Sequence, residues 1–292
     1  MADIRRRFNQ ESLKTTFQCT DKMPRCASDA MVSIIIPCYN EAKNLERGVL
    51  DEVYQYLAQQ NYAWEVIIVN DEATDNSKSL VARFIESKKN FSLLDIPHGG
   101  KPAAVWAGIQ NAKGDVVLLT DMDQSTPIGE LGKLLDGYQQ GFDMVIGSRG
   151  MTREGFSLVR KLGSVVFRAV RGLFLLRDIS DTQCGFKLCC RQVALELFPH
   201  LEFFRQKEKP TGWKVTAYDV ELLYLVEKAG YKIKEVVVSW SNRDQSDTKS
   251  QSGDLARYVN ESIDMARQVA RVELNQLRGL YDDIQPARKP DR

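Results

Sequence analysis

The stretch VSIIIPCYNE, residues 32–41, runs from a β-branched apolar segment straight into a polar end. An apolar run this short, closed by Pro and Asn, predicts a strand buried on both faces. The same pattern recurs in EVIIVN (65–70), LLDI (93–96), DVVLLTD (115–121), DMVIGS (143–148) and KEVVVSW (234–240). Helical spacing fills the gaps. Residues 41–60 place Leu45, Val49, Val53 and Leu57 on one face, with Asn40 as the expected N-cap. Residues 76–89 do the same with Leu80, Val81, Phe84 and Ile85, and 102–112 form a third helix. Thr126-Pro127 reads as a cap and first residue of a helix ending near Gln140. Strand alternating with helix predicts an α/β fold built on a parallel sheet.

Ligands of such sheets bind beyond the carboxyl ends of the strands. Those ends are PCYNE (37–41), NDEATD (70–75) and DMDQ (121–124), all rich in carboxylates or amides. Oxygen donors of this kind suit a hard divalent cation. Lys101, in the HGGKP loop, adds a positive charge that can meet a phosphate. His98 in the same loop reads as a residue that shapes it. Trp240 reads as packing at the end of a strand.

The whole composition narrows the class. The chain has 292 residues, 43% of them hydrophobic and 27% charged, an ordinary globular balance. Forty Lys plus Arg against 39 Asp plus Glu leave a net charge of +1, which argues against nucleic acid as a partner. No run of about 18 apolar residues predicts a transmembrane helix. The start, MADIRRRFNQESLK, is basic but lacks the apolar core of a signal peptide. The six cysteines form no CxxC pair, so they read as reduced thiols packed as small hydrophobes. A cytoplasmic setting is the expectation.

Six motifs in order carry a resemblance: VSIIIPCYNE, VIIVNDEATDNS, HGGKPAAVWAG, VVLLTDMD, and the later pair DTQCGFKLCCR (181–191) and YDVELLYLVEKAGYKIKEVVVSW (218–240). Together they resemble the family 2 glycosyltransferases of the GT-A fold. Within these they are most similar to the polyprenyl-phosphate sugar synthases, above all the dolichyl-phosphate β-glucosyltransferase branch. The resemblance implies a single catalytic GT-A domain over 31–250, an N-terminal arm over 1–30, and a C-terminal helix and tail over 251–292. It implies a metal-dependent, inverting transfer of a hexose, glucose favoured, from a nucleotide sugar, UDP-glucose favoured, to a polyprenyl or dolichyl phosphate. GDP-mannose as donor, a soluble glycan acceptor, or a silent nucleotide or membrane binder are the alternatives.

The resemblance also implies roles. Pro37, Tyr39, Asn40 and Glu41 would line the base and ribose pocket, and Asp71 would contact the base. Lys101 and Met122 would lie along the donor. Asp121 and Asp123 would hold Mg²⁺ or Mn²⁺ on the diphosphate, with Asp123 as the direct ligand. Asp219 and Glu221 match the acidic region on the acceptor side. Asn70, Glu72, Ala73, Pro102 and Gln124 depart from the family's usual residues.

Chemistry sets the remaining expectations. A phosphate monoester has a second pKa near ~6 and is already an anionic nucleophile at neutral pH, so a lipid-phosphate acceptor needs no base. Asp219 is then a residue that lines the site, or a base if the acceptor is a hydroxyl. Arg149 offers a bidentate fork for phosphate. Gln183 and Lys187 are acceptor-side candidates. Residues 155–177 hold five basic and no acidic residues. On a helical wheel Arg160, Lys161, Arg168 and Arg171 gather beside an apolar face, the pattern of a helix lying on an anionic membrane. A second helical pattern, 254–281, offers a face for the body of the protein or for a homo-oligomer.

Overall fold

The computed structural model describes residues 30–150, 179–205, 218–245, 267–284 and 286. Seven strands form one sheet: β1 (Val32–Cys38), β2 (Trp64–Asn70), β3 (Phe91–Asp95), β4 (Val116–Leu119), β5 (Met144–Ser148), β6 (Lys187–Cys190) and β7 (Ile233–Val237). Their order is β3-β2-β1-β4-β6-β5-β7. All neighbours pair in parallel except β6, which runs antiparallel to both β4 and β5. The parallel expectation therefore needs one correction. KLCC, at 187–190, is too short and too polar at its start to announce a strand, and its antiparallel course comes from tertiary pairing.

The helices are α1 (Ala42–Glu46), α2 (Val49–Leu57), α3 (Ser77–Ile85), α4 (Lys101–Asn111), α5 (Leu131–Gln139), α6 (Arg191–Leu197), α7 (Glu202–Arg205) and α8 (Tyr218–Lys228). Residues 267–277 are helical as well. The single helix expected over 41–60 is two, because Gly48 adopts φ +83°, a left-handed conformation that interrupts the hydrogen-bond ladder. Asn40 does not cap it. Asn40 itself has φ 55°, and its side-chain oxygen accepts from the Thr74 amide at 2.8 Å. Asp75 and Ser77 supply the missing acceptors, taking the amides of Ala42 at 3.1 Å and Glu41 at 2.7 Å. Pro127 lies ahead of a 3₁₀ turn (Ile128–Glu130), so the next helix opens at Leu131.

Val32, Ile34, Ile35, Ile36, Val66, Ile68, Val69 and Val116 to Leu119 are buried, as central parallel strands covered on both faces require. The two edge strands depart from that pattern. β3 and β7 are mostly half-buried or exposed, so KEVVVSW is an edge rather than a central strand. Trp240 is exposed rather than packed, and Arg149 lies over its ring at 5.7 Å. Cys38, Cys184, Cys189 and Cys190 are buried free thiols.

Among the described residues no helix is long and apolar enough to cross a membrane. The basic segment 155–177, with Arg160, Arg168 and Arg171, lies outside the described residues, as does the arm over 1–29. Of the helical pattern at 254–281, residues 267 onward are described.

Candidate active site

Parallel pairing brings the ends of β1, β2, β4, β5 and β7 to one edge, and β6 begins there. The segments expected to bind a ligand therefore converge. At the β1 end, Tyr39 faces His98 with ring centroids 4.6 Å apart. At the β2 end, Asp71 is buried, and its carboxylate ties down the loop before α4. It accepts from the amides of Gly99 at 2.7 Å and Gly100 at 2.9 Å, and His98 Nδ1 lies 3.1 Å away. His98 thus shapes its loop, and the Asp71 carboxylate serves the same loop. Asn70 donates to Asp95 at 2.7 Å and accepts from the Ala73 amide at 3.2 Å. The amide in place of an acid gives Asp95 a donor instead of a like charge.

The turn after β4 carries Asp121 and Asp123. Lys101 Nζ bonds Asp121 Oδ1. Desolvation works to lower the Lys101 pKa, but Asp121 first, then Tyr218 and Asp219, raise it above its ordinary value. Asp123 Oδ1 accepts from the Ser125 amide at 2.8 Å, and the Asp123 carbonyl accepts from Arg47 at 2.8 Å. Met122, between Asp121 and Asp123 in this turn, is buried. Gln124 adopts φ 48° and folds back on Thr120 and the Asp121 carbonyl, at 3.2 and 3.0 Å.

Glu41 joins this turn electrostatically. Burial, then the carboxylates of Asp244, Asp123 and Asp121, push its pKa up to about 7 against the bond from Asn44. Asn44 is buried and bridges Glu41 at 2.6 Å to Asp244 at 3.2 Å. Arg243 donates its amide to Ser125 at 3.2 Å and its guanidinium to Glu52 at 2.7 Å. Residues 241–245 thus strap the β4 turn to α1 and α2. Asn44, Arg47, Ser125, Arg243 and Asp244 were not singled out from the sequence, since each is an ordinary polar residue until the strap brings them together.

On the other side, Lys187 is almost fully buried and bonds Asp219 Oδ1 at 2.6 Å and the Cys184 carbonyl. A lysine so enclosed supports Asp219 rather than reaching outward. Arg149 is a fork, but for Asp181. Its Nε and Nη2 donate at 2.6 and 2.7 Å, and its amide adds a third bond at 3.0 Å. The expected phosphate fork is therefore an internal clasp. Burial works to raise the Asp181 carboxyl, but Arg149 overrides it and holds the pKa down at about 2. Asp181 sits in DTQCGFK, yet nothing in that motif alone showed that its partner is Arg149. Gln183 is exposed in the turn that follows, its amide 3.3 Å from Asp181. Glu221 is corrected as well. It accepts from Tyr281 at 2.9 Å and the Glu202 amide at 2.7 Å, away from the edge, because two residues along α8 turn it about 200° from Asp219, onto the opposite face of the helix.

The result is a row of alternating charge: Asp121, Lys101, Asp219, Lys187, Asp181, Arg149. Among the described residues no group of three or more His, Cys, Asp or Glu is placed to hold a metal ion by itself. The donor set of Asp121 and Asp123 nevertheless fits a hard cation. Such ions take one or two carboxylates and complete their shell with water and phosphate oxygens. Gly185 keeps the space open, since a Cβ there would lie 2.2 Å from Asp121 Oδ2.

Known proteins are similar to this chain in sequence and fold. The family model described as glycosyl transferase family 2 matches residues 33–198. A dolichyl-phosphate beta-glucosyltransferase of Trichomonas vaginalis is 31% identical, the match covering 84% of this chain and 74% of the relative. One from Drosophila melanogaster is 34% identical over 74% of this chain and 68% of its own. One from Saccharomyces cerevisiae is 27% identical over 87% and 78%. Among solved structures, mannosyl-3-phosphoglycerate synthase from Rubrobacter xylanophilus superposes with a TM-score of 0.56 at 19% identity, covering 90% of this chain and 78% of that one. Glucosyl-3-phosphoglycerate synthase from Mycobacterium tuberculosis, crystallised with Mn²⁺, UDP and its product, gives 0.53 at 17%, covering 85% and 80%. These likenesses show the GT-A fold. The chain belongs to glycosyl transferase family 2 and is a glycosyltransferase.

Proposed function

We propose that this glycosyltransferase moves glucose from UDP-glucose to a polyprenyl or dolichyl phosphate, with inversion at the anomeric carbon. The observation that carries the reading is the similarity, over most of the chain, to relatives named dolichyl-phosphate beta-glucosyltransferase. The alternating charges at the sheet edge support it, because both substrates bring phosphates. In this reading the uridine lies against Pro37, Tyr39, Asn40 and Glu41, with the Asp71-bound loop behind it. Asp121 and Asp123 hold Mg²⁺ or Mn²⁺. Such an ion, when bound, stabilises the negative charge of the departing diphosphate. Lys101, at the start of α4, neutralises phosphate charge beside these carboxylates.

The acceptor phosphate is anionic at neutral pH, so no residue has to remove a proton from it. Asp219, held by Lys187, then orients groups on the acceptor side. Gln183 borders that side. Arg149 and Asp181 close its frame and act through position. The lipid places the reaction at a membrane surface, with Arg160, Arg168 and Arg171 meeting anionic headgroups from the cytoplasmic side.

Radiolabelled UDP-glucose incubated with dolichyl phosphate and Mn²⁺ tests the reading. The expected outcome is label in a butanol-extractable glucolipid, with GDP-mannose giving at least tenfold less. Label confined to a soluble glycan, or none from any donor, overturns it.

A further inference from the structure

Asp121 has two oxygens, and neighbours restrict both. Oδ1 holds the Lys101 ammonium. Oδ2 lies against the backbone of Gly185, close enough that a Cβ would sit 2.2 Å away. A divalent cation approaching this carboxylate therefore meets a resident positive charge. We propose that Lys101 is the occupant that a divalent cation must displace from Asp121, so that one ammonium couples metal binding to nucleotide diphosphate binding. This rests on the reading of Asp121 as a metal-holding residue.

The argument is one of charge. Before ligands arrive, Lys101 balances Asp121 and stands near Asp219. A diphosphate brings negative charge to the same edge and offers Lys101 a second partner. As the ammonium shifts to phosphate oxygens, Asp121 becomes available to the cation. Each ligand thus lowers the cost of binding the other, and by linkage the effect is equal in both directions. A cation alone must displace Lys101 with no phosphate there to receive it. A lysine suits this better than an arginine clasp such as Arg149–Asp181: its single charge sits on a flexible stem and makes no bidentate fork.

Electron paramagnetic resonance of free Mn²⁺ tests the proposal on the full chain, with and without UDP, after subtracting the Mn²⁺ bound by UDP alone. The wild type is expected to bind Mn²⁺ weakly by itself and at least tenfold more tightly with UDP. Lys101→Gln, and Lys101→Met as a second neutral replacement, should bind Mn²⁺ at least tenfold more tightly than wild type without UDP, and UDP should then add less. Lys101→Arg, which keeps the charge, should stay close to wild type. Neutral variants that bind Mn²⁺ no more tightly than wild type without UDP overturn the coupling while leaving the metal reading intact. No Mn²⁺ bound by any of these proteins even with UDP overturns both.

Discussion

Gly185 is where a single atom decides whether the site exists. Because a Cβ there would press on Asp121 Oδ2, and Asp121 sits at the end of a flexible side chain, the strain falls on the carboxylate rather than on the core. Gly185→Ala is expected to lower kcat/KM at least tenfold while the thermal midpoint moves by a few degrees at most; steady-state kinetics beside a melting curve checks this. Asn70 shows the reverse case, a departure from the family's usual residue with a local reason. Its amide nitrogen gives Asp95 a donor, and Asp95, held first by Lys78 and then by Asn70, has a pKa below its ordinary value. Asn70→Asp would place two carboxylates there. A stability loss of about 1 kcal/mol at pH 7 is expected, shrinking below about pH 4 as one of them protonates. Urea unfolding at the two pH values measures it.

The sheet carries two charge pairs of different kinds. Asp181, its carboxyl held at about 2, binds a proton more readily when unfolded than when folded. Its contribution is therefore fully present above the ordinary carboxylate pKa of about 4 and fades as pH falls toward 2, a span worth about 2 kcal/mol. Asp181→Asn should flatten that limb of the stability curve, seen by urea titration between pH 6 and 2.5. The Lys187–Asp219 pair is more enclosed. Lys187→Met strips Asp219 of its 2.6 Å partner and should cost about 3 kcal/mol, whereas Lys187→Met with Asp219→Leu should recover at least half of it. A double-mutant cycle decides. The elements also show what a sequence tells and why it stops. β1, β2, β4 and β5 were legible because β-branched runs buried on both faces admit few other readings. β6 was not, since Lys187 opens it and its direction depends on neighbours distant in the chain. The carboxylates at strand ends could be found by rule, as could Lys101. Arg149 could not be assigned, because an arginine at a strand end looks the same whether it awaits a phosphate or already grips an aspartate.

Across the whole molecule the antiparallel β6 matters most. β5 leaves the site edge at Ser148 and β6 returns to it at Lys187, and Gly147 donates its amide to the Phe186 carbonyl at 2.9 Å. Departure and return are thus adjacent, and the Arg149–Asp181 clasp fastens them at the base. Residues 151–178 exchanged for the corresponding stretch of a relative with another acceptor should leave the thermal midpoint within about 5 °C, provided both clasp residues stay. Acceptor choice should travel with the insert, while donor choice remains with the strands that were never touched.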